Sequence, residues 1–185
     1  MNFEIAMSHQ LSAISFIGTG SNVGDAADNC KKGIKAIEKI KGNEIIAISS
    51  FYKTEPVSNI EQDWFVNCVI KIKTVLTPYQ LLHKLQDIEK RLGRKKGVKW
   101  GARIIDLDIL LYDNLIVDED SLKIPHPRMH ERRFVLEPLS EIDENLIHPI
   151  IKKSIRILLN ELGSGQRVEP LWNWIKPDIL LLKAQ

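Results

Sequence analysis

The stretch Asp106-Leu107-Asp108-Ile109-Leu110-Leu111 constrains the fold more than any other part of the chain, because an extended backbone sorts it into two chemistries. With side chains alternating between faces, Asp106, Asp108 and Leu110 fall on one side and Leu107, Ile109 and Leu111 on the other. The aliphatic side belongs against a core, so both carboxylates must point away from it. Two carboxylates two residues apart repel each other unless a cation lies between them, and hard divalent cations take oxygen ligands. Mg²⁺ suits this arrangement: it keeps most of its waters, takes one or two protein carboxylates and completes its shell with phosphate oxygens. Just upstream, Lys90, Arg91, Arg94, Lys95, Lys96, Lys99 and Arg103 carry positive charge with no acid among them. A Mg²⁺-nucleotide polyphosphate satisfies both halves. Each half also has a plain reading, since an acid pair on a strand is often its wet face and a charge run a solvated loop. Their adjacency favours a site, but spacing alone names no reaction.

At 185 residues the chain suits one domain with a sizeable core. A net charge of +2 is too small to mark the whole surface for nucleic acid, so a cationic site has to be local. Cys30 and Cys68 lie far apart without metal-ligand spacing, which fits free thiols in a reducing compartment. Met1 to Gln10 contain Glu4 and no basic n-region, against a secretory signal. No apolar run reaches the roughly 18 residues of a membrane span. A cytoplasmic location is therefore expected.

Residues 1–12 read as an extension, 13–162 as the core and 163–185 as a C-terminal extension of a single domain. A first strand from Ala13 to Thr19 leads into Gly18-Thr19-Gly20-Ser21-Asn22-Val23-Gly24, read as a glycine-rich loop. The third glycine comes one place too late for a dinucleotide fingerprint, and no P-loop Gly-Lys-Ser/Thr follows. Asp25 is placed to cap a helix to about Ile40. A strand is expected over Glu44–Tyr52, then a turn at Tyr52–Val57 and a loop to about Asp63. Trp64–Thr74 reads as a third strand with Phe65, Asn67 and Val69 on one face. Thr77 and Pro78 open a second helix that ends at Gly93, with Gln86 and Glu89 sharing a face. After the Asp106 strand come a short strand around Asn114–Val117, an extended Pro125-His126-Pro127 loop, and a helix from His130 to about Ile142 broken near Pro138. A further helix spans Ile150–Leu162. The tail from Gln166, with Trp172, Trp174 and Ile179–Leu182, is apolar enough to dock on the body. The order βαββαβ suits an α+β fold: a ferredoxin-like antiparallel sheet with helices packed on its faces.

The motifs Gly20-Ser21-Asn22, Tyr52-x-Thr54-x-Pro56, Phe65-x-Asn67, Trp100-Gly101-x-Arg103-x-x-Asp106-x-Asp108 and Pro125-His126-Pro127-Arg128-x-His130-Glu131-Arg132 come in an order that strongly resembles the 6-hydroxymethyl-7,8-dihydropterin pyrophosphokinase family over roughly Ile14 to Leu162. The resemblance implies transfer of pyrophosphate from ATP to the pterin hydroxymethyl oxygen with release of AMP, in folate synthesis. It implies two Mg²⁺ on Asp106 and Asp108, with Arg94, Lys96 and Arg103 completing the catalytic set. It implies ATP contacts from Gln86, Glu89, Arg94, Trp100, Arg103, Ile109, His126 and Arg132. The pterin side falls by the same matching to Thr54, Val57, Phe65, Asn67 and Phe134, where two rings sandwich the flat bicycle and the amide reads its polar edge. Ala102, Ser58 and Thr19 depart from the residues common in the family, none of them removing a needed charge. The expected partners are these small molecules, without nucleic acid or membrane, and the expected state is a monomer. Two rivals stand beside this reading. One is a non-catalytic nucleotide- or pterin-binding module, which need not keep both aspartates. The other is an RNA-binding αβ fold using the Lys90–Arg103 run, in which aromatics are lacking apart from Trp100.

Overall fold

Alternating apolar residues lay down the strands and helical spacing the helices between them. The computed structural model describes residues 12–57, 61–94, 101–163 and 165–171. In order, the elements are β1 (Ala13–Ser21), α1 (Ala26–Glu38), β2 (Asn43–Ile48), β3 (Tyr52–Thr54), β4 (Phe65–Thr74), α2 (Pro78–Arg91), β5 (Asp106–Tyr112), β6 (Val117–Glu119), β7 (Leu122–Ile124), α3 (Arg133–Asp143), α4 (Ile155–Glu161) and β8 (Val168–Pro170). The fold is a mixed α/β domain on an antiparallel sheet in the order β5-β1-β4-β3-β8, with β2 also paired to β4.

Both long helices start where the sequence provides for it. Asp25 accepts the Asp28 N–H at 2.9 Å. Thr77 accepts the Gln80 N–H at 3.3 Å while the Gln80 side chain accepts the Thr77 N–H at 2.9 Å, with Pro78 in the first turn. Ile34 and Ile37 of α1 and Leu81, Leu85 and Ile88 of α2 then pack on one sheet face, against Ile17, Ile70, Ile72, Leu107 and Ile109. Val135, Leu136 and Leu139 of α3 and Ile155 and Leu158 of α4 pack on the other, against Phe16, Val69, Leu110 and Leu111.

Leu111 thus lies opposite to the face that simple alternation assigns it. The β1–β5 register steps from Phe16↔Leu111 to Ile17↔Ile109, leaving Leu110 unmatched as a bulge, so Leu110 and Leu111 both join the α3 side. The strand expected over Glu44–Tyr52 is likewise interrupted: β2 lies along Ile70–Thr74 and β3 along Phe65–Asn67 of the same neighbour. The gap is held from outside. Glu141 of α3 accepts the Ser50 N–H at 2.8 Å, its hydroxyl at 3.0 Å and the Tyr52 hydroxyl at 3.1 Å. Strand β1 runs on through Ser21, so Gly18 and Gly20 are strand residues and not loop residues.

The expected strand at Asn114–Val117 begins only at Val117 and forms a hairpin with β7. The helix expected from His130 starts at Arg133, after a 3-10 turn at Met129–Glu131, and passes through Pro138 unbroken. A proline inside a helix costs about 3 kcal/mol. Buried Val135, Leu136 and Leu139, at roughly 1.5–3 kcal/mol each, outweigh it. The last helix begins at Ile155 and not Ile150. The His148 Nδ1 accepts the N–H groups of Ile150 and Ile151 at 3.3 and 3.2 Å, and Ile147 bridges Ser154, folding that segment into a loop. Part of the tail docks as β8 on β3, pairing Thr54 with Val168 and Tyr52 with Pro170. Trp172, Trp174, Ile179–Leu182 and residues 1–11 lie outside the described residues. Cys30 and Cys68 are buried and free. Among the described residues no helix is long and apolar enough to cross a membrane.

Candidate active site

Helices α3 and α4 cover only part of their sheet face. Beside Leu110 and Val135 that face opens into a cavity of about 300 Å³, whose sheet side presents Gly18, Gly20, Asn67, Asp106 and Asp108. The glycines matter here for close approach. Gly20 pairs with Asn67 across β1 and β4, and a Cβ on Gly20 would sit 2.4 Å from the Asn67 Oδ1. The missing side chain is what lets the Asn67 amide lie across the neighbouring strand, where its Nδ2 donates to the Thr54 hydroxyl at 2.6 Å.

One half of the cavity is ionic. Asp106 draws the guanidinium of Arg94 to its Oδ1 at 2.8 Å and that of Arg103 to its Oδ2 at 2.6 Å. Glu89, 6 % exposed, accepts the Leu107 N–H at 2.7 Å and pairs with Arg94. Burial raises the Glu89 carboxyl above its ordinary range, against the pull of those two donors. It therefore fixes Arg94 against the start of β5 and does not itself line the cavity. Asp108 is half-buried and opens onto the cavity. That recess, together with the Asp106 carboxylate, pushes it up to about 7, with Arg132 opposing.

His126 follows a cis Ile124-Pro125 peptide and hangs from the Leu110 carbonyl, to which its N–H donates at 2.9 Å. Burial and the neighbouring Arg132 lower its imidazole to about 4, so the ring is neutral. Its Nδ1 accepts the Arg128 N–H at 3.2 Å, which leaves the proton on Nε2. That nitrogen lies 3.4 Å from the Arg132 Nη1 and 3.9 Å from the Asp108 Oδ2. Two N–H donors thus converge at one place, an arrangement suited to an anionic oxygen.

The other half is aromatic and amide. Thr54, Val57, Phe65, Asn67 and Phe134 all line it, with Val57 more than half exposed at the rim. The Arg132 guanidinium lies 5.5 Å from the centre of the Phe134 ring, where the two halves meet.

The sequence-derived candidates divide accordingly. Thr54, Val57, Phe65, Asn67, Arg103, Asp106, Asp108, His126, Arg132 and Phe134 are brought together around one cavity. Arg94 and Glu89 stand behind Asp106. Gln86 is exposed on α2, and the Ile109 side chain is 5 % exposed in the aliphatic core under the other face, so neither side chain reaches the cavity. Ile109 follows Asp108 on an alternating strand, which forces its side chain to the opposite side. Lys96 and Trp100 lie outside the described residues, as does Ser58.

Asn22 carries more than its place in a motif conveyed. Its Oδ1 accepts the Arg103 N–H at 2.7 Å, its own N–H donates to the Arg103 carbonyl at 3.0 Å, and its Nδ2 reaches the Gln62 Oε1 and the Asp63 carbonyl. One side chain thereby joins the segments on two sides of the cavity mouth.

Among the described residues no group of three or more His, Cys, Asp or Glu is arranged to hold a metal ion. Two carboxylates are nonetheless the donor set expected for Mg²⁺ whose other ligands are phosphate oxygens and water. Crowding of Asp108 by Asp106 is the electrostatic condition such an ion relieves, so the residues fit the group.

Comparison with known proteins bears on the family and the fold. The sequence model for the family described as 7,8-dihydro-6-hydroxymethylpterin-pyrophosphokinase matches residues 16–144. The 2-amino-4-hydroxy-6-hydroxymethyldihydropteridine pyrophosphokinase of Aquifex aeolicus is 42% identical over 93% of this chain and 99% of its own. That of Bacillus subtilis is 42% identical over 70% of this chain and 77% of its own. Among solved structures, an HPPK-DHPS in complex with substrates superposes with a TM-score of 0.66 at 15% identity, over 82% of this chain. Plasmodium falciparum HPPK-DHPS with pterin and p-hydroxybenzoate gives 0.66 at 17% identity over 82% of this chain. The chain spans less than half the length of those two structures, 43% and 42%, and at such identities the likeness is one of fold.

Proposed function

The chain belongs to the 7,8-dihydro-6-hydroxymethylpterin-pyrophosphokinase family, and we propose from its cavity how its residues divide the work. It transfers pyrophosphate from ATP to 6-hydroxymethyl-7,8-dihydropterin in folate biosynthesis and releases AMP. The bond that forms joins the hydroxymethyl oxygen to the β-phosphorus. The bond that breaks joins that phosphorus to the bridging oxygen, which leaves with AMP.

Asp106 and Asp108 are the residues for Mg²⁺, which we take to be two ions; when bound, they neutralise phosphate charge as it is transferred. Arg103, Arg132 and the neutral His126 bind phosphate oxygens, and Arg94, held by Glu89, sets the orientation of Asp106. Phe65 and Phe134 stack on the pterin, Asn67 reads its polar edge, and Thr54 fixes the amide through the 2.6 Å bond. Val57 closes the rim. This division aligns the alcohol for in-line attack, where positioning supplies much of the rate. Lys96 and Trp100 are assigned to the nucleotide by sequence matching alone.

The core strands β1, β2, β4 and β5 have the spatial order β5-β1-β4-β2, all antiparallel, which supports a ferredoxin-like reading of the core. Two free buried thiols support a reducing, cytoplasmic setting. Residues 13–162 form the catalytic core in this reading, with extensions on either side.

The observation that carries the assignment is the meeting, in one cavity, of an acid pair among cations with an amide among aromatic rings. Incubation with ATP, Mg²⁺ and the reduced pterin, followed by nucleotide chromatography, is expected to yield AMP and the pterin diphosphate in equal amounts. ADP, or no product, would overturn it.

A further inference from the structure

Helix α3 begins without help from its own sequence. Its N-cap residue, Arg132, makes no side-chain capping bond, although the first turn of any helix leaves backbone N–H groups unpaired. The Phe134 N–H finds its acceptor 32 residues later in the chain: it donates to the Gln166 Oε1 at 3.3 Å. The same amide donates from Nε2 to the Glu55 carbonyl at 2.7 Å. An amide carries one acceptor oxygen and one donor nitrogen, so these two partners together admit a single orientation of the group.

Phe134 and the Glu55–Val57 segment both line the aromatic half of the cavity. Gln166 spans them from behind. The segment that carries it is tied down on both sides. Arg133 donates to the Gly163 carbonyl, and beyond Gln166 the Glu55 N–H donates to the Arg167 carbonyl at 3.0 Å. Val168–Pro170 pair with β3, and the Leu171 N–H donates to the Phe51 carbonyl at 2.8 Å. The Arg167 guanidinium stacks 5.0 Å from the centre of the Trp64 ring, next to Phe65.

We propose that Gln166 is a positioning residue for the pterin, holding the Phe134 wall and the Glu55–Val57 wall at a fixed separation. This rests on the pterin assignment made above. The nucleotide half stands on β1, β5, the His126 loop and Arg132, and neither bond of Gln166 ends on any of these. Its influence therefore falls on one substrate.

The test is steady-state AMP release by Gln166→Leu and Gln166→Glu, with each substrate varied in turn, beside pterin binding followed by tryptophan fluorescence and a thermal melt. Gln166→Leu removes both bonds, and the KM for the pterin is expected to rise about five- to tenfold while that for ATP stays within about twofold. Gln166→Glu keeps an acceptor for Phe134 but sets a carboxylate against the Glu55 carbonyl, and a smaller rise of the same selectivity is expected. An unchanged pterin KM in both variants overturns the inference. So does a rise of both KM values in step with a lowered melting temperature, which marks a merely structural strap. A wild-type protein that neither binds the pterin nor releases AMP overturns the functional reading and the inference with it. Normal wild-type turnover with indifferent variants overturns the inference alone.

Discussion

The two faces of the sheet are made by the same strands and do opposite things. Under α1 and α2 the face is sealed: Ile17, Ile70, Ile72, Leu107 and Ile109 meet two helical stripes, with the buried Thr19 hydroxyl beside the Cys30 thiol. Under α3 and α4 it is sealed only as far as Phe16, Val69, Leu110 and Leu111, and the rest is a cavity bearing charge. Strand β5 supplies both, sending Leu107 and Ile109 one way and Asp106 and Asp108 the other. The closed face supplies the stability that lets the open one hold like charges together.

The largest effect should come from the open face and leave stability alone. Asp108→Ala is expected to lower turnover by about 10³-fold or more, since a metal clamp contributes several kcal/mol to the transition state. Removing a carboxyl that is crowded in its recess should leave the melting temperature unchanged or higher. A variant that loses activity only because it unfolds would break the contrast. On the closed face the signs reverse. Leu85 is fully buried, and Leu85→Ala is expected to cost about 2–5 kcal/mol in chemical denaturation with kcat nearly unchanged below the melting range. On the floor of the cavity, Gly20→Ala should do some of each. Its Cβ would meet the Asn67 Oδ1, so a loss of about 1–3 kcal/mol is expected together with weaker pterin binding and unaltered ATP binding. Equal weakening of both ligands would show that Asn67 is no pterin contact.

What the sequence disclosed tracks how local each cause is. The caps at Asp25 and Thr77, the stripes of α1 and α2, and the sorting of Asp106 and Asp108 are set within a few residues of themselves, and each was readable. The grouping of Thr54, Asn67, His126 and Arg132 came from the family resemblance, since their meeting in one cavity is set by contacts between distant segments. The bulge at Leu110 is a matter of register against β1, so alternation alone put Leu111 on the wrong side. The gap between β2 and β3 is held by Glu141, some ninety residues further along, and the start of α3 by Gln166. Ile109 and Gln86 came from matching positions to a family, which does not say where a side chain points.

The smallest effect separates the faces by pH. His148, 3 % exposed beside α4, has its imidazole lowered by burial and by the neighbouring His130, and its Nδ1 must stay unprotonated to accept the Ile150 and Ile151 N–H groups. A histidine held below its unfolded value of 6.5 leaves stability intact above that pH. Stability is then lost as pH falls from there toward the folded value, because the unfolded chain takes up the proton first. His126, lowered to about 4, adds a loss of the same sign, while Asp108, raised to about 7 on the same side of the sheet, opposes it by taking up its proton first in the folded state. The thiols of the closed face respond oppositely: burial pushes Cys30 up to about 12, so both stay neutral throughout. Mild acid should therefore loosen the α3–α4 side first, seen as faster amide hydrogen exchange in Ile155–Glu161 while Pro78–Arg91 stays protected. His148→Asn keeps an acceptor for the loop but cannot titrate there, so its stability should fall less steeply below pH 6.5 than that of the wild type. An unaltered slope would assign the acid sensitivity to His126 and the open cavity.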